Sequence, residues 1–517
     1  MSDATTTPHP PPEGYPQYPT IIHALDAAAR LTPEAIGLVC EARELTYRQY
    51  AHAVGALARH FGELGSAGER IAYVAPNSLD LCVALLAGMS SRAQVSPLNP
   101  FYTEAELEPL LRDVDPRIIV CDASTREKVR SLAARVGVTQ IVQIGPDGIT
   151  AEELLTRTVM PLSLPHPEDL SVMFFTGGTT GVPKGANHTH YSLMAFCYGV
   201  AWVWPFPLGE ERILNVAPLF HIWGFCFTLV APVYFRASMD IMPAYKPALV
   251  LEEFQKRRIS IFAGGPAALY LGLRANENFT KTDFSSLKVC LSGGAPCPEE
   301  LLTSWEKATG CVLLEGWGMS EGAPINSNPL HGVRKIGSVG IAAPGTEVEV
   351  VDLETGEKVM PVGERGEIRL RGAQFTKGYR NRPEENRTAI RNGWLYTGDI
   401  GYYDADGYLF LVDRKKEMII VGGYNVYPRE IDELLFSHPA ILEAATVGVP
   451  DSFSGEAVKA YVVLRPGQKL TAEELQDYCR KSLVKYKVPT RIEFVESLPR
   501  SGVGKINKLE LKRMSAG

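Results

Sequence analysis

No two cysteines in this 517-residue chain are spaced as Cys-x-x-Cys, and none is placed at metal-ligand spacing from a histidine. The nine cysteines lie singly between Cys40 and Cys479. That scatter fits a reducing compartment and argues against a disulfide framework or a structural zinc site. Positive charge is not in excess either. A formal net charge of −7 argues against a nucleic-acid-binding face, although it leaves room for a local basic pocket. A basic, then apolar, leader is missing: residues 1–19 are rich in Pro and Thr and read as a disordered lead-in. Long hydrophobic runs are scarce. The longest, Leu219 to Phe235, is interrupted by His221, Gly224 and Pro232 and reads as a buried segment, not a membrane span. The chain therefore reads as cytoplasmic, with peripheral membrane contact left open and with monomer and homodimer equally compatible. No Gly-x-Gly-x-x-Gly opens a helix ahead of an acidic residue, which weighs against a dehydrogenase. Internal repeats are absent as well.

What is present is a long alternation of helix and strand signals from residue 20 onward. Tyr50, Val54, Leu57, Phe61 and Leu64 share one helical face, and Arg70 to Val74 is a short strand. A helix over Leu79 to Gly88 and a strand over Ala93 to Ser96 follow. Thr103 with Glu106 forms a capping box that opens a helix ending near Val114, ahead of the strand Arg117 to Cys121. Further strands are expected at Ile259 to Ala263, Lys288 to Leu291 and Val312 to Glu315. Repeated βα units of this length imply parallel sheet with helices on both faces. Past about residue 345, Val348 to Val351 and Gly366 to Gly372 alternate charged and apolar residues, as half-exposed antiparallel strands do. The fold class is thus α/β: a large N-terminal domain of parallel sheets with a small β-barrel-like part, and a small, mobile α+β C-terminal domain. The charged run Val412 to Glu417 sets the boundary. The expected division is a lead-in at 1–19, a large domain at 20–412, a hinge at 413–416 and a small domain at 417–517.

Seven stretches carry chemistry, each modest alone. After the apolar strand Ser171 to Phe175 come Thr176, Gly177, Gly178, Thr179, Thr180 and Gly181, then Lys184 and Gly185. Successive amides in such a loop can form an anion-binding nest, and threonine hydroxyls add donors. The spacing is not that of a P-loop, because Gly185 follows the lysine. A flexible surface loop would read the same way. Gly293, Gly294, Ala295 and Pro296 follow a strand and precede a helix, where ligands of α/β sheets collect; a plain tight turn is equally compatible. Glu315, Gly316, Trp317, Gly318, Met319, Ser320 and Glu321 also follow a strand. There Trp317 could offer an indole face, Ser320 a hydroxyl and Glu321 a hard oxygen ligand, although a tryptophan is more often core. His221, in Pro218 to Trp223, is either a satisfied core group or a gate on an apolar pocket. Asp399 sits on a turn suited to a diol, and Arg414 could add a donor. Gly422 and Gly423 permit close approach of a thin ligand, and Lys505 rides on a glycine-bearing loop near the C-terminus.

Taken in order, these stretches resemble the adenylate-forming superfamily of acyl-CoA synthetases, luciferases and peptide-synthetase adenylation domains. The resemblance covers about residues 20 to 513. Asp413 to Ile420, Tyr424 to Pro428, Ser454 to Lys459 and Tyr486 to Pro489 look most like bacterial fatty-acid–CoA ligases. Trp317 and Ser320 stand where that family usually has Tyr and Thr, and Asn507-Lys508 replaces a common arginine pair. The resemblance implies a ligase that activates a medium- or long-chain fatty acid with ATP and Mg²⁺, then transfers the acyl group to coenzyme A. It implies Lys505 as the adenylation lysine, residues 176–185 as the triphosphate clamp, and Glu321 with Thr176 on Mg²⁺. Asp399 and Arg414 would take the ribose, with Trp317 and the 293–296 backbone around adenine. Lys416 would be the hinge, Gly422 and Gly423 the pantetheine tunnel, and His221 and Trp223 the acyl pocket. An aryl-CoA ligase for coumarate- or benzoate-type acids, or a ligase loading a carrier protein, remains the alternative.

Overall fold

The computed structural model describes residues 9–176, 183–294, 297–451, 453–500 and 506–516. Expectations for Gly177 to Gly181, Ala295, Pro296 and Lys505 lie outside the described residues.

Two large sheets carry the N-terminal domain. One has six strands in the order Gln140–Gln143, Ile118–Cys121, Arg70–Val74, Gln94–Pro97, Leu170–Thr176, Lys184–Thr189. The other has nine, with Val312–Met319, Val289–Ser292, Ile261–Gly265, Arg212–Asn215, Ser238–Ile241 and Ile36–Cys40 forming its parallel centre. The parallel strands read as nearly unbroken apolar runs because helices cover both of their faces. The expected parallel sheets are present, and each also carries an antiparallel strand toward an edge. Lys184–Thr189 turns back antiparallel on Leu170–Thr176, and Gly322–Ser327 does the same on Val312–Met319. In each case the connection is too short to hold a crossover helix.

Helix Leu79–Ser90 is apolar on every side and buried along its whole length. Its one charged residue, Asp80, is 4% exposed and is held bidentately by Arg43 at 2.7 and 2.8 Å. Asp80 also accepts the amide of Ala151 at 2.8 Å, so the buried carboxylate is fully partnered. The capping boxes at Thr46/Gln49 and Thr103/Glu106 are both formed. The run from Leu219 to Phe235 is buried, as expected, in short helical turns with a π-helical stretch at Cys226–Val230. No described helix is long and apolar enough to cross a membrane.

Thr346–Val351, Gly366–Gly372, Trp394–Tyr403 and Leu409–Arg414 form the antiparallel part, with their own apolar cluster. Beyond it, Ile441–Asp451 and Gly455–Leu464 pair antiparallel, packed by helices Pro428–Phe436 and Ala472–Arg480. Arg429 ties this second unit to the first: its amide donates to Asp413 at 2.8 Å and its guanidinium to the Leu411 carbonyl at 3.0 Å.

The lead-in is not disordered where it is described. Residues 9–19 strap the large domain through aromatic side chains that a Pro/Thr-rich composition understates. Trp202 donates to the Pro10 carbonyl, Tyr15 to the Phe206 carbonyl and Tyr234 to the Pro16 carbonyl. Tyr198 donates to the Tyr18 carbonyl at 2.9 Å and accepts the Tyr18 amide at 3.0 Å. Tyr198→Phe leaves that amide and carbonyl without a partner, and should cost about 2 kcal/mol in urea unfolding. It should also speed cleavage after Glu13 by a glutamyl endopeptidase. Unchanged cleavage would show that the strap is held by other contacts.

Candidate active site

The edge hairpin Leu170–Thr176/Lys184–Thr189 brings Thr176 directly opposite Lys184. Both ends of the glycine-rich loop are therefore fixed by the six-stranded sheet. The segment 376–380 lies along the hairpin as a further extended piece. Asn187 N donates to Gly378 O, Lys377 N to Asn187 O, and Arg380 N to Gly185 O, at 2.8 to 3.0 Å. This segment delivers Tyr379, over whose ring the Lys184 ammonium sits 5.1 Å from the centroid.

Glu321 arrives from the other large sheet, on the turn between Val312–Met319 and Gly322–Ser327. It is 7% exposed. Tyr379 Oη donates to its Oε1 at 2.6 Å, and Thr376 N donates to its main-chain carbonyl at 2.7 Å. Burial pushes the Glu321 carboxyl above its ordinary range, while the Tyr379 bond and the nearby Arg414 and Lys184 charges pull it back. Tyr379 and Thr376 carried no local signal, since their partners are distant in sequence and meet them only through strand pairing. His188 was missed for the same reason: its Nε2 lies 2.8 Å from the Ser320 carbonyl.

The third contribution comes from the antiparallel part. Asp399 and Arg414 stand opposite each other in register, and Arg414 Nε reaches Asp399 Oδ1 at 2.9 Å. Asp399 and Glu321 both lie in the field of Arg414. Lys416, two residues on, is lowered to about 8, first by burial and then by Arg414; it also feels Asp399 and Lys184. The expected clamp end, acidic ligand, diol acceptor and hinge residue are thus brought together.

Trp317 is 8% exposed and belongs to the apolar cluster with Ile325, Ile368 and Phe375, so most of its surface is core. Trp223 donates from Nε1 to the Ala263 carbonyl at 3.1 Å and packs on Phe227 with ring centroids 4.6 Å apart. A Cβ at Gly293 would come within 2.5 Å of the Trp223 ring, so that glycine is what admits the indole. His221 caps the short turn Ile222–Phe225, its Nδ1 accepting the Trp223 amide at 3.3 Å. Gly422 and Gly423, at φ of +55° and +85°, form the tight turn between Ile419–Val421 and Tyr424–Val426, with open space on their Cβ side. They belong to the small domain and take no part in the cluster around Glu321.

The donors present suit Mg²⁺. Glu321 and the Thr176 hydroxyl are hard oxygens, and among the described residues no group of three or more His, Cys, Asp or Glu could hold a metal ion. A cation that keeps waters and takes phosphate oxygens alongside one carboxylate fits such a set.

Residues 25–380 match the family of AMP-binding enzymes, and residues 430–505 match its C-terminal domain. A long-chain-fatty-acid–CoA ligase of Bacillus subtilis (strain 168) is 36% identical over 482 residues, covering 86% of this chain and 85% of that protein. A feruloyl-CoA synthase of an Amycolatopsis species is 34% identical, covering 94% and 97%. Among solved structures, ATP-bound MatB from Rhodopseudomonas palustris superposes with a TM-score of 0.88 at 29% identity, covering 96% of this chain and 99% of that one.

Glu315 is a further buried acid among the expected site residues. Its Oε1 accepts the Cys297 amide at 3.2 Å, and burial raises it to about 7 against the pull of Arg429. A carboxyl whose folded pKa is raised contributes stability that is full below the unfolded pKa and is lost as pH rises through the folded one. Glu315→Gln should therefore gain on the parent chain between pH 5 and pH 8 by about 3 kcal/mol. Urea unfolding at the two pH values measures the difference, and a constant difference would place the ionised carboxylate in a solvated setting.

Proposed function

The chain belongs to the AMP-binding enzyme family, and on that premise we propose that it is an ATP-dependent acid–CoA ligase whose acid is a medium- or long-chain fatty acid. The observation that carries this reading is the meeting of Lys184, Glu321 with Tyr379, and the Asp399–Arg414 pair from three separate sheets. That set offers, in one place, positive charge for phosphates, a hard oxygen ligand and an acceptor for a diol.

In the first step a carboxylate oxygen attacks the α-phosphorus of ATP; the bond to the β-phosphate breaks and pyrophosphate leaves. In the second the coenzyme A sulfur attacks the acyl carbon, AMP departs and the thiol proton is released. Two anions must approach in the first step, so cationic groups have to lie between them. Lys184 would face the β- and γ-phosphates together with residues 176–181. Glu321 and Thr176 would hold Mg²⁺, which when bound spreads the charge of those phosphates. Asp399 and Arg414 would orient the ribose, and Glu315 would lie beside the adenine. Lys505 would supply the charge between carboxylate and α-phosphate, and Lys416 the pivot that later withdraws it for the thiol. Gly422 and Gly423 would then border the pantetheine path.

The 36% identical long-chain ligase supports the fatty acid. A second reading, an aryl acid, is favoured by the flat Trp223 indole at the end of the central strands and by the similarity to a feruloyl-CoA synthase.

A panel of straight-chain and aromatic acids, followed by pyrophosphate release with coenzyme A present, separates the two. The expected result is highest kcat/KM for a fatty acid of medium or long chain. Preference for coumarate or benzoate would replace that substrate, and no thioester with free coenzyme A would point to a carrier protein. Lys505→Ala should slow acyl-AMP formation by about 100-fold or more while largely sparing thioester formation from supplied acyl-AMP. Equal loss in both half-reactions would remove the lysine from the first step.

A further inference from the structure

His188 lies outside every motif that marks the site, yet it touches the turn that carries Glu321. It stands on Lys184–Thr189, two residues beyond Ala186 and four beyond Lys184, so by strand alternation all three share one face. The ring is 2% exposed. Phe174, on the partner strand, packs edge-on against it with centroids 5.6 Å apart. Ser192 Oγ lies 3.4 Å from Nδ1, and Nε2 lies 2.8 Å from the Ser320 carbonyl. A carbonyl can only accept, so Nε2 carries the proton. Burial lowers the ring to about 4, which keeps it neutral at ordinary pH and consistent with that single-donor tautomer.

We infer that His188 is a positioning residue for adenylation: its Nε2–H holds the Ser320 carbonyl and so fixes the Ser320–Glu321 turn against the hairpin that bears Lys184. The inference rests on the proposed function. Its physical content is a tie between the two large sheets at the point where each contributes to the phosphate site. The Glu321 side chain is held by Tyr379, and its main chain by Thr376. The residue before it is held by His188 alone among the side-chain partners found for Ser320 in the described residues. Without that bond the turn keeps one anchored end and gains freedom at the other. A displacement of about 1 Å in a group that orients substrate is enough to slow chemistry roughly a hundredfold.

His188→Leu removes the donor, and His188→Gln keeps an N–H at the end of the side chain. Mg·ATP binding is read by calorimetry without any acid present, alongside thermal melting and the two half-reactions. The expected result is a dissociation constant for Mg·ATP raised about tenfold in His188→Leu, the scale of one hydrogen bond. Acyl-AMP formation should slow with it, thioester formation from supplied acyl-AMP should stay within about twofold, and His188→Gln should recover most of the affinity. Parental Mg·ATP affinity in folded His188→Leu overturns the inference, as does an equal fall of both half-reactions. If the leucine variant does not fold, His188→Phe decides: it keeps a ring on Phe174, and parental affinity there overturns the inference equally. A parent chain that binds Mg·ATP but activates no acid would instead sink the proposed function, leaving the comparison of affinities intact.

Discussion

A carboxylate buried between two sheets is expensive unless its partners come with it, at several kcal/mol for an uncompensated charge. Glu321 is that group here, and its partners are drawn from every part of the large domain. The phenol comes from Tyr379 on the 376–380 segment, and the main-chain donor from Thr376. Positive fields come from Lys184 on the six-stranded sheet and Arg414 at the end of the antiparallel part. Moving any one of these pieces leaves the carboxylate short of a partner, so the charge fixes how the pieces are placed. The 376–380 segment shows the constraint most directly. It pairs with Gly185 and Asn187 through its main chain while turning Tyr379 toward Glu321.

The same electrostatics reach the junction between the large and small units. Arg414 is committed to Asp399, yet the chain places Lys416 only two residues away, in the field of both Arg414 and Lys184. Burial lowers the lysine, and like charges held this close lower it further. On the far side of the junction, Arg429 and Glu433 face Glu315, and Lys508 reaches Asp432 at 2.9 Å and Glu417 at 3.8 Å. The replacement of an arginine by Lys508 therefore keeps a cation in contact with the acidic residues beside the junction.

Local chemistry in the sequence predicted local structure well. The capping box at Thr103/Glu106, the buried run from Leu219 to Phe235 and the alternating strands at 348–351 and 366–372 follow from neighbours a few residues apart. What escaped depends on contacts between distant residues. The antiparallel turn-backs at the sheet edges look like any other strand in composition. The order of residues 9–19 rests on Tyr198, Trp202 and Tyr234, which lie about 180 to 220 residues away. Tyr379 is 58 residues from Glu321, and His188 is 132 from Ser320. Spacing and residue type find a ligand such as Glu321 because the ligand needs a given chemistry. They do not find the groups that hold it, because a phenol or an imidazole in that role is set only by where the strands bring it.

On the proposed function, Gly293 would tie the nucleotide side of the site to the acid side. Expected as part of a floor for a flat base, it is also the residue against which the Trp223 indole lies, with no room for a Cβ between them. Trp223 is fixed in turn by its bond to the Ala263 carbonyl at the end of the neighbouring strand, and the His221 ring caps its own amide. The strand ends that would carry the base thus also set the position of the aromatic wall. A side chain at Gly293 would displace the indole before it met anything bound on the other face. On the proposed function, the distance between the activated phosphate and the wall of the acyl pocket is then a property of the central sheet, and substrate preference follows from how Trp223 is seated there.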